Sequence, residues 1–116
     1  MFMDTIYEKS MSFAVRIVKL NQYLHSSKHE YVLSKQLLRS GTSIGANVRE
    51  AKYGQSKNDF IAKMSIALKE ASETEYWLEL LSKTEYLTDE QYKSIRADCS
   101  ELAKILTSIV KSAKAE

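Results

Sequence analysis

The chain predicts an all-α fold: one domain over residues 1–116, built as an antiparallel up-down-up-down four-helix bundle. Three observations carry this. There is no proline in the 116 residues, and proline would break a helix interior. Only three glycines occur, all within residues 41–54. Apolar residues recur at steps of three and four in four blocks, the spacing of one helix face, and short polar stretches separate the blocks. Short connections make sequential helices antiparallel neighbours.

The first helix is predicted at 4–26. Thr5 followed by Glu8 has the spacing of a capping box. Met3, Ile6, Phe13, Ile17, Leu20 and Leu24 then form one stripe, interrupted by Ser10, and fade into the polar turn His25–His29. The second helix is predicted at 30–53, with Leu33, Leu37, Ile44, Val48 and Ala51 on its core face. Gly41 and Gly45 are read as helical, because the apolar period crosses them without a change of phase. Small residues on one face let a neighbouring backbone come close, by analogy with membrane helices.

The third helix is predicted at 57–83. Ser56 and Asp59 resemble a capping box at its start. Phe60, Met64, Ala67, Ala71, Leu78 and Leu81 form its stripe, with Thr74 at the remaining position. Ala67 and Ala71 are assigned to face the small patch of the second helix. Ile61, Ile66, Leu68 and Trp77 lie off the stripe, so this helix is apolar on more than one side. The fourth helix is predicted at 88–113. Thr88 is a good N-cap, and Asp89 and Glu90 suit the positive end of the helix dipole. Tyr92, Ile95, Cys99, Leu102, Leu106, Ile109 and Ala113 follow in heptad register.

Composition excludes several classes of function. No apolar run approaches the roughly 20 residues of a membrane span, and the first ten residues lack the pattern of a secretory signal. The single cysteine, Cys99, cannot form an internal disulfide, which points to a reducing cytoplasm. His25 and His29 straddle a turn with no ligand set around them, and a structural zinc site takes four ligands. No acid–base pair, activated nucleophile or arginine–histidine RNase motif is legible. The sequence therefore predicts no enzyme, no metal and no cofactor.

Charge is sorted along the chain. Residues 9–57 hold nine basic side chains and two acidic ones, a net +7, whereas residues 58–101 hold five basic and ten acidic, a net −5. The basic half can attract phosphate, and the acidic half can neutralise it within the fold or across a subunit contact. Arg16, Lys19, Lys35, Arg39, Arg49 and Lys52 are the candidate contacts to RNA or DNA, with affinity that falls as salt rises. Two structural readings stand beside this one. In one the cations solvate helix faces, and in the other they pair with Glu70, Glu73, Glu75 and Glu79 of the same or the next subunit. Only Tyr23 and Tyr53 accompany the patch as stacking residues, so base-specific readout has no support. Ser43, Asn47 and Glu50 form a polar motif with Arg39. We read it as a hydrogen-bonded set that fixes helix register rather than as a ligand site.

The order of residues in the middle of the chain is distinctive. It runs Leu33-Ser34-Lys35-Gln36-Leu37-Leu38-Arg39-Ser40-Gly41-Thr42-Ser43-Ile44-Gly45-Ala46-Asn47-Val48-Arg49-Glu50-Ala51, then Phe60-Ile61, Ser65-Ile66-Ala67-Leu68-Lys69-Glu70-Ala71 and Glu75-Tyr76-Trp77-Leu78. This resembles the four-helix-bundle proteins encoded in intervening sequences of 23S ribosomal RNA genes. It is also similar to the accessory variability determinant proteins of diversity-generating retroelements, which bind nucleic acid and a reverse transcriptase. The resemblance implies an up-and-down bundle, a ring-shaped homopentamer and no established enzymatic activity. The expectation is a non-enzymatic oligomeric accessory or adaptor that binds RNA. The alternative is a protein–protein interaction scaffold with no nucleic-acid role. The partners would be further copies of the chain, RNA or DNA, and a second protein, with no membrane.

Overall fold

The computed structural model describes residues 2–116, without the side chains of Phe2 and Met3, so the Met3 position of the first stripe lies outside the described residues. Four helices follow in order: α1 (Phe2–Ser26), α2 (Leu33–Lys52), α3 (Lys57–Lys83) and α4 (Asp89–Ala115). Among the described residues there is no strand. The molecule is a rod of 46 × 21 × 19 Å. A helix of α3's length spans about 40 Å, so the long helices run its full length. Each helix packs on two neighbours, α1 on α2 and α4, and α3 on α2 and α4. Contacts pair in reverse order along neighbouring helices. Lys9 and Arg16 of α1 meet Glu101 and Asp98 of α4, and Arg39 and Glu50 of α2 meet Glu73 and Lys63 of α3.

The predicted stripes make the core. Ile6, Phe13, Ile17 and Leu24 of α1 lie against Leu37, Ile44 and Val48 of α2, with Met64, Leu78, Leu81, Leu102 and Leu106 closing the interior. Burying a side chain of this size contributes about 1.5–3 kcal/mol. Ser10 is also buried, its hydroxyl donating to the Tyr7 carbonyl.

The helix starts differ in how they are built. Ser56 accepts from the Asp59 N–H at 3.0 Å, and Thr88 forms a full capping box with Gln91. The first helix begins at Phe2, so Thr5 sits inside it and not at its boundary. The second begins at Leu33, not at 30. His29 is left-handed (φ 53°), and Glu30 stays outside the helix to cap it. Its carboxylate accepts from the backbone N–H groups of Val32, Leu33 and Ser34, the last at 2.8 Å. Burial alone would raise the Glu30 pKa, but these bonds outweigh it and hold the carboxyl below its ordinary value.

The small patch of α2 faces α1, not α3. A Cβ on Gly41 would lie 2.7 Å from Ile17 Cγ1, and one on Gly45 would lie 3.4 Å from the Ser10 carbonyl oxygen. Ala71 instead offers its carbonyl to the Cys99 thiol of α4 at 3.4 Å. The α2–α3 contact uses a polar pair: the hydroxyls of Ser40 and Thr74, both fully buried, lie 3.0 Å apart.

Candidate functional site

The basic side chains are distributed over several faces. On the α1–α4 seam, Lys9 pairs with Glu101 at 3.1 Å, and Arg16 pairs with Asp98 at 2.7 Å while also donating to the Ser94 hydroxyl. On the α2–α3 seam, Arg39 pairs with Glu73 at 2.5 Å and lies 3.9 Å from Glu70. Trp77 donates its indole N–H to the same Glu73 oxygen. These seams lie on opposite sides of the bundle, because α1 and α3 each pack between α2 and α4. Arg16 and Arg39 therefore do not share a face of the subunit.

The other four candidates separate further. Lys52 sits over the Tyr7 ring, 4.9 Å from its centroid, and 5.8 Å from that of Tyr53. Lys19, Lys35 and Arg49 are exposed and have no carboxylate partner among the described residues. Lys35 and Arg49 are four turns apart on α2, about 21 Å along its axis. Half of the predicted set is thus engaged within the chain and half is free.

The polar motif is local. Ser43 donates to the Arg39 carbonyl at 2.6 Å, and Asn47 donates to the Ser43 carbonyl at 2.9 Å. Glu50 leaves this ladder to pair with Lys63 at 3.1 Å. Of the three, only Glu50 connects two helices. His25 lies 3.1 Å from the Ser34 hydroxyl, and His29 lies 3.2 Å from that of Tyr31. No cluster of metal-ligating side chains occurs among the described residues. Cys99 is buried, and burial together with the Glu75 charge pushes its thiol up to about 12.

A feature missed in the sequence lies on α1. Met11, Val15 and Val18 are 49%, 46% and 40% exposed. They are spaced by four and three, as a core stripe would be, but they point away from the core. That spacing is itself the signal in the sequence. On α3, Ile66 and Tyr76 are exposed and Ile61 is half-buried, while Leu68 and Trp77 are half-buried against the core. The α1 stripe borders a cleft of about 410 Å³ between α1 and α2, lined by Tyr7, Met11, Ala14, Ala46 and Arg49. Gly45, which has no side chain to fill it, forms part of the wall.

The family model described as 23S rRNA-intervening sequence protein matches residues 4–108. The chain belongs to this family. A crystal structure of a protein of unknown function from the S23 ribosomal protein family of Bacteroides thetaiotaomicron superposes on it with a TM-score of 0.95. The two are 59% identical over 96% of this chain and 99% of the other. The comparison with curated proteins yields no match. The match to the 23S rRNA-intervening sequence protein family spans the Arg39–Glu50 string and reaches into all four helices. Among the described residues no helix is long and apolar enough to cross a membrane.

Proposed function

We propose that this chain is a non-enzymatic scaffold that assembles with further copies of itself through the outer face of α1. The observation that carries the reading is the exposed stripe of Met11, Val15 and Val18. Large apolar side chains set side by side on a small rod favour association, since each buried copy removes that area from water. The subunit is read as an antiparallel up-down-up-down bundle, supported by the reversed pairing of its ion pairs. A contact in which the α1 face meets a different surface of the next copy generates a ring when its rotation closes. Five is the count that the family resemblance implies. The buried thiol of Cys99 suits a reducing cytoplasm.

A second reading keeps a role for nucleic acid. It rests on Lys19, Lys35 and Arg49, which have no carboxylate partner among the described residues. Repetition around a ring would multiply such weak contacts. The scaffold is the stronger reading, because Arg16, Arg39 and Lys52 are already engaged within the chain.

Sedimentation velocity tests the assembly. The wild-type chain is expected to sediment as an oligomer at micromolar concentration, and the triple variant Met11→Ser, Val15→Ser, Val18→Ser as a monomer with unchanged helicity. A monomeric wild type overturns the reading. Gel shifts with RNA and duplex DNA across a salt series test the second reading, and absence of binding at low salt removes it.

A further inference from the structure

A second cavity lies away from the α1 stripe, between α1 and α4 beside the α3–α4 turn. Its volume is about 280 Å³, just below the range of pockets that hold drug-sized molecules and so suited to a smaller ligand. Leu20 of α1, Leu87 of the turn and Ile95 of α4 supply the apolar surface. The turn is held against the bundle. Glu85 takes a left-handed conformation (φ 69°), and the N–H groups of Tyr86 and Leu87 both donate to the Leu81 carbonyl. That fold-back buries Leu87 to 4% exposure and fixes one wall.

The polar lining is one-sided. Arg16, Lys19, Tyr23 and Gln91 border the cavity, and no carboxylate does. Lys19 has no acidic partner among the described residues. The Arg16 guanidinium is held in place by Asp98 and Ser94. The Gln91 carbonyl is taken by the Thr88 N–H at 2.9 Å, so its amide N–H groups remain as donors. An apolar surface bordered by donors and an unpaired ammonium is complementary to a ligand with an apolar body and an anionic head.

We propose that this cavity binds a small amphiphilic anion: one aromatic ring or short apolar chain carrying a single carboxylate. The apolar body lies against Leu20, Leu87 and Ile95, and the head meets the Lys19 ammonium with the Gln91 amide N–H groups beside it, while Arg16 stays paired with Asp98. The proposal is independent of self-association, since the α1 stripe takes no part in it.

Methyl-TROSY spectra of the protein in its native assembly state test the site, with phenylacetate as the probe and phenylacetamide as its neutral counterpart. Phenylacetate is expected to shift the methyl signals of Leu20, Leu87 and Ile95 saturably. Phenylacetamide should bind about fivefold more weakly, as the loss of one charge-assisted contact implies. The variant Lys19→Met, altered at an exposed position that the fold does not use, should lose affinity for phenylacetate by a similar factor while its spectrum stays native. Absence of saturable shifts at these methyls, or equal binding of the acid and the amide, overturns the proposal. So does undiminished binding by Lys19→Met.

Discussion

Gly41 lies directly beneath Ile17, so close that a β-carbon there would fall 2.7 and 2.9 Å from two branches of the isoleucine side chain. Both branches spring from Cβ and cannot swing away as the end of a longer chain would. Alanine at position 41 gains up to about 1 kcal/mol in helix propensity, but overpacking costs about 1–3 kcal/mol. The expected net effect of Gly41→Ala is destabilisation, read as a lower urea midpoint with an unchanged slope.

Gly45 gives the opposite outcome. Its added carbon would stand 3.4 Å from the Ser10 carbonyl oxygen, an ordinary contact. Gly45→Ala should therefore keep most of its propensity gain and raise stability by up to about 1 kcal/mol. Thermal melts of the two variants side by side would show opposite shifts. A drop in both would mean that α1 and α2 are more tightly apposed at position 45 than this geometry allows.

Arg39 faces two carboxylates, and the Oε2 atom of Glu70 is buried without a hydrogen bond. Removing the cation alone, as Arg39→Met, leaves Glu70 and Glu73 without their partner. Because Arg39 is half-exposed, the expected cost is only about 0.5–1 kcal/mol. Glu70→Met should be neutral or slightly stabilising, since it removes a poorly compensated charge. A double-mutant cycle by urea denaturation checks this, and the cost of Arg39→Met should shrink when Glu70 is already methionine.

Glu30 predicts a pH dependence. Its folded pKa lies below its ordinary value of 4.5. Its ionised form therefore contributes stability above that value, and the contribution is lost as pH falls through the folded pKa. Glu30→Gln should cost about 1 kcal/mol at neutral pH, as the loss of a helix cap does. The gap between variant and wild type should narrow as the solution is acidified below pH 4.5. A gap that is constant with pH would show that the cap does not depend on charge.

Cys99 should resist modification in the folded protein. Its thiol is buried and pushed up to about 12, and the thiolate is the reacting species. Labelling by a disulfide reagent at neutral pH is expected to proceed only as fast as the bundle opens. Fast labelling of the native protein would contradict the packing of Cys99 against the Ala71 carbonyl.

Much of the bundle was legible because its core follows one simple period. The stripes through Ile6 to Leu24 and Ile95 to Ala113 predict burial that the structure shows. The caps at Ser56 and Thr88 were legible because a cap acts over three residues. Glu30 was not, since it caps from outside the helix through a longer side chain with the help of a left-handed His29. The facing of Gly41 is a choice among neighbours that periodicity cannot make. The ion pair of Arg16 with Asp98 joins residues 82 positions apart, and charge sorting could suggest such a pair but not name it. For the same reason, Lys19, Lys35 and Arg49 could be separated from Arg16, Arg39 and Lys52 only in three dimensions.

The order of packing also bears on how the chain acquires its shape. Three of the four helix contacts join elements adjacent in sequence, and only α1 with α4 spans the whole length. Loops of a few residues cost little entropy to close, and topologies rich in local contacts fold quickly. A growing polypeptide can zip its first three rods together as they emerge, leaving a trough that the last rod fills. Lys9 and Arg16, facing Glu101 and Asp98 across that trough, would act as late latches: weakening them should hasten unfolding more than it slows folding.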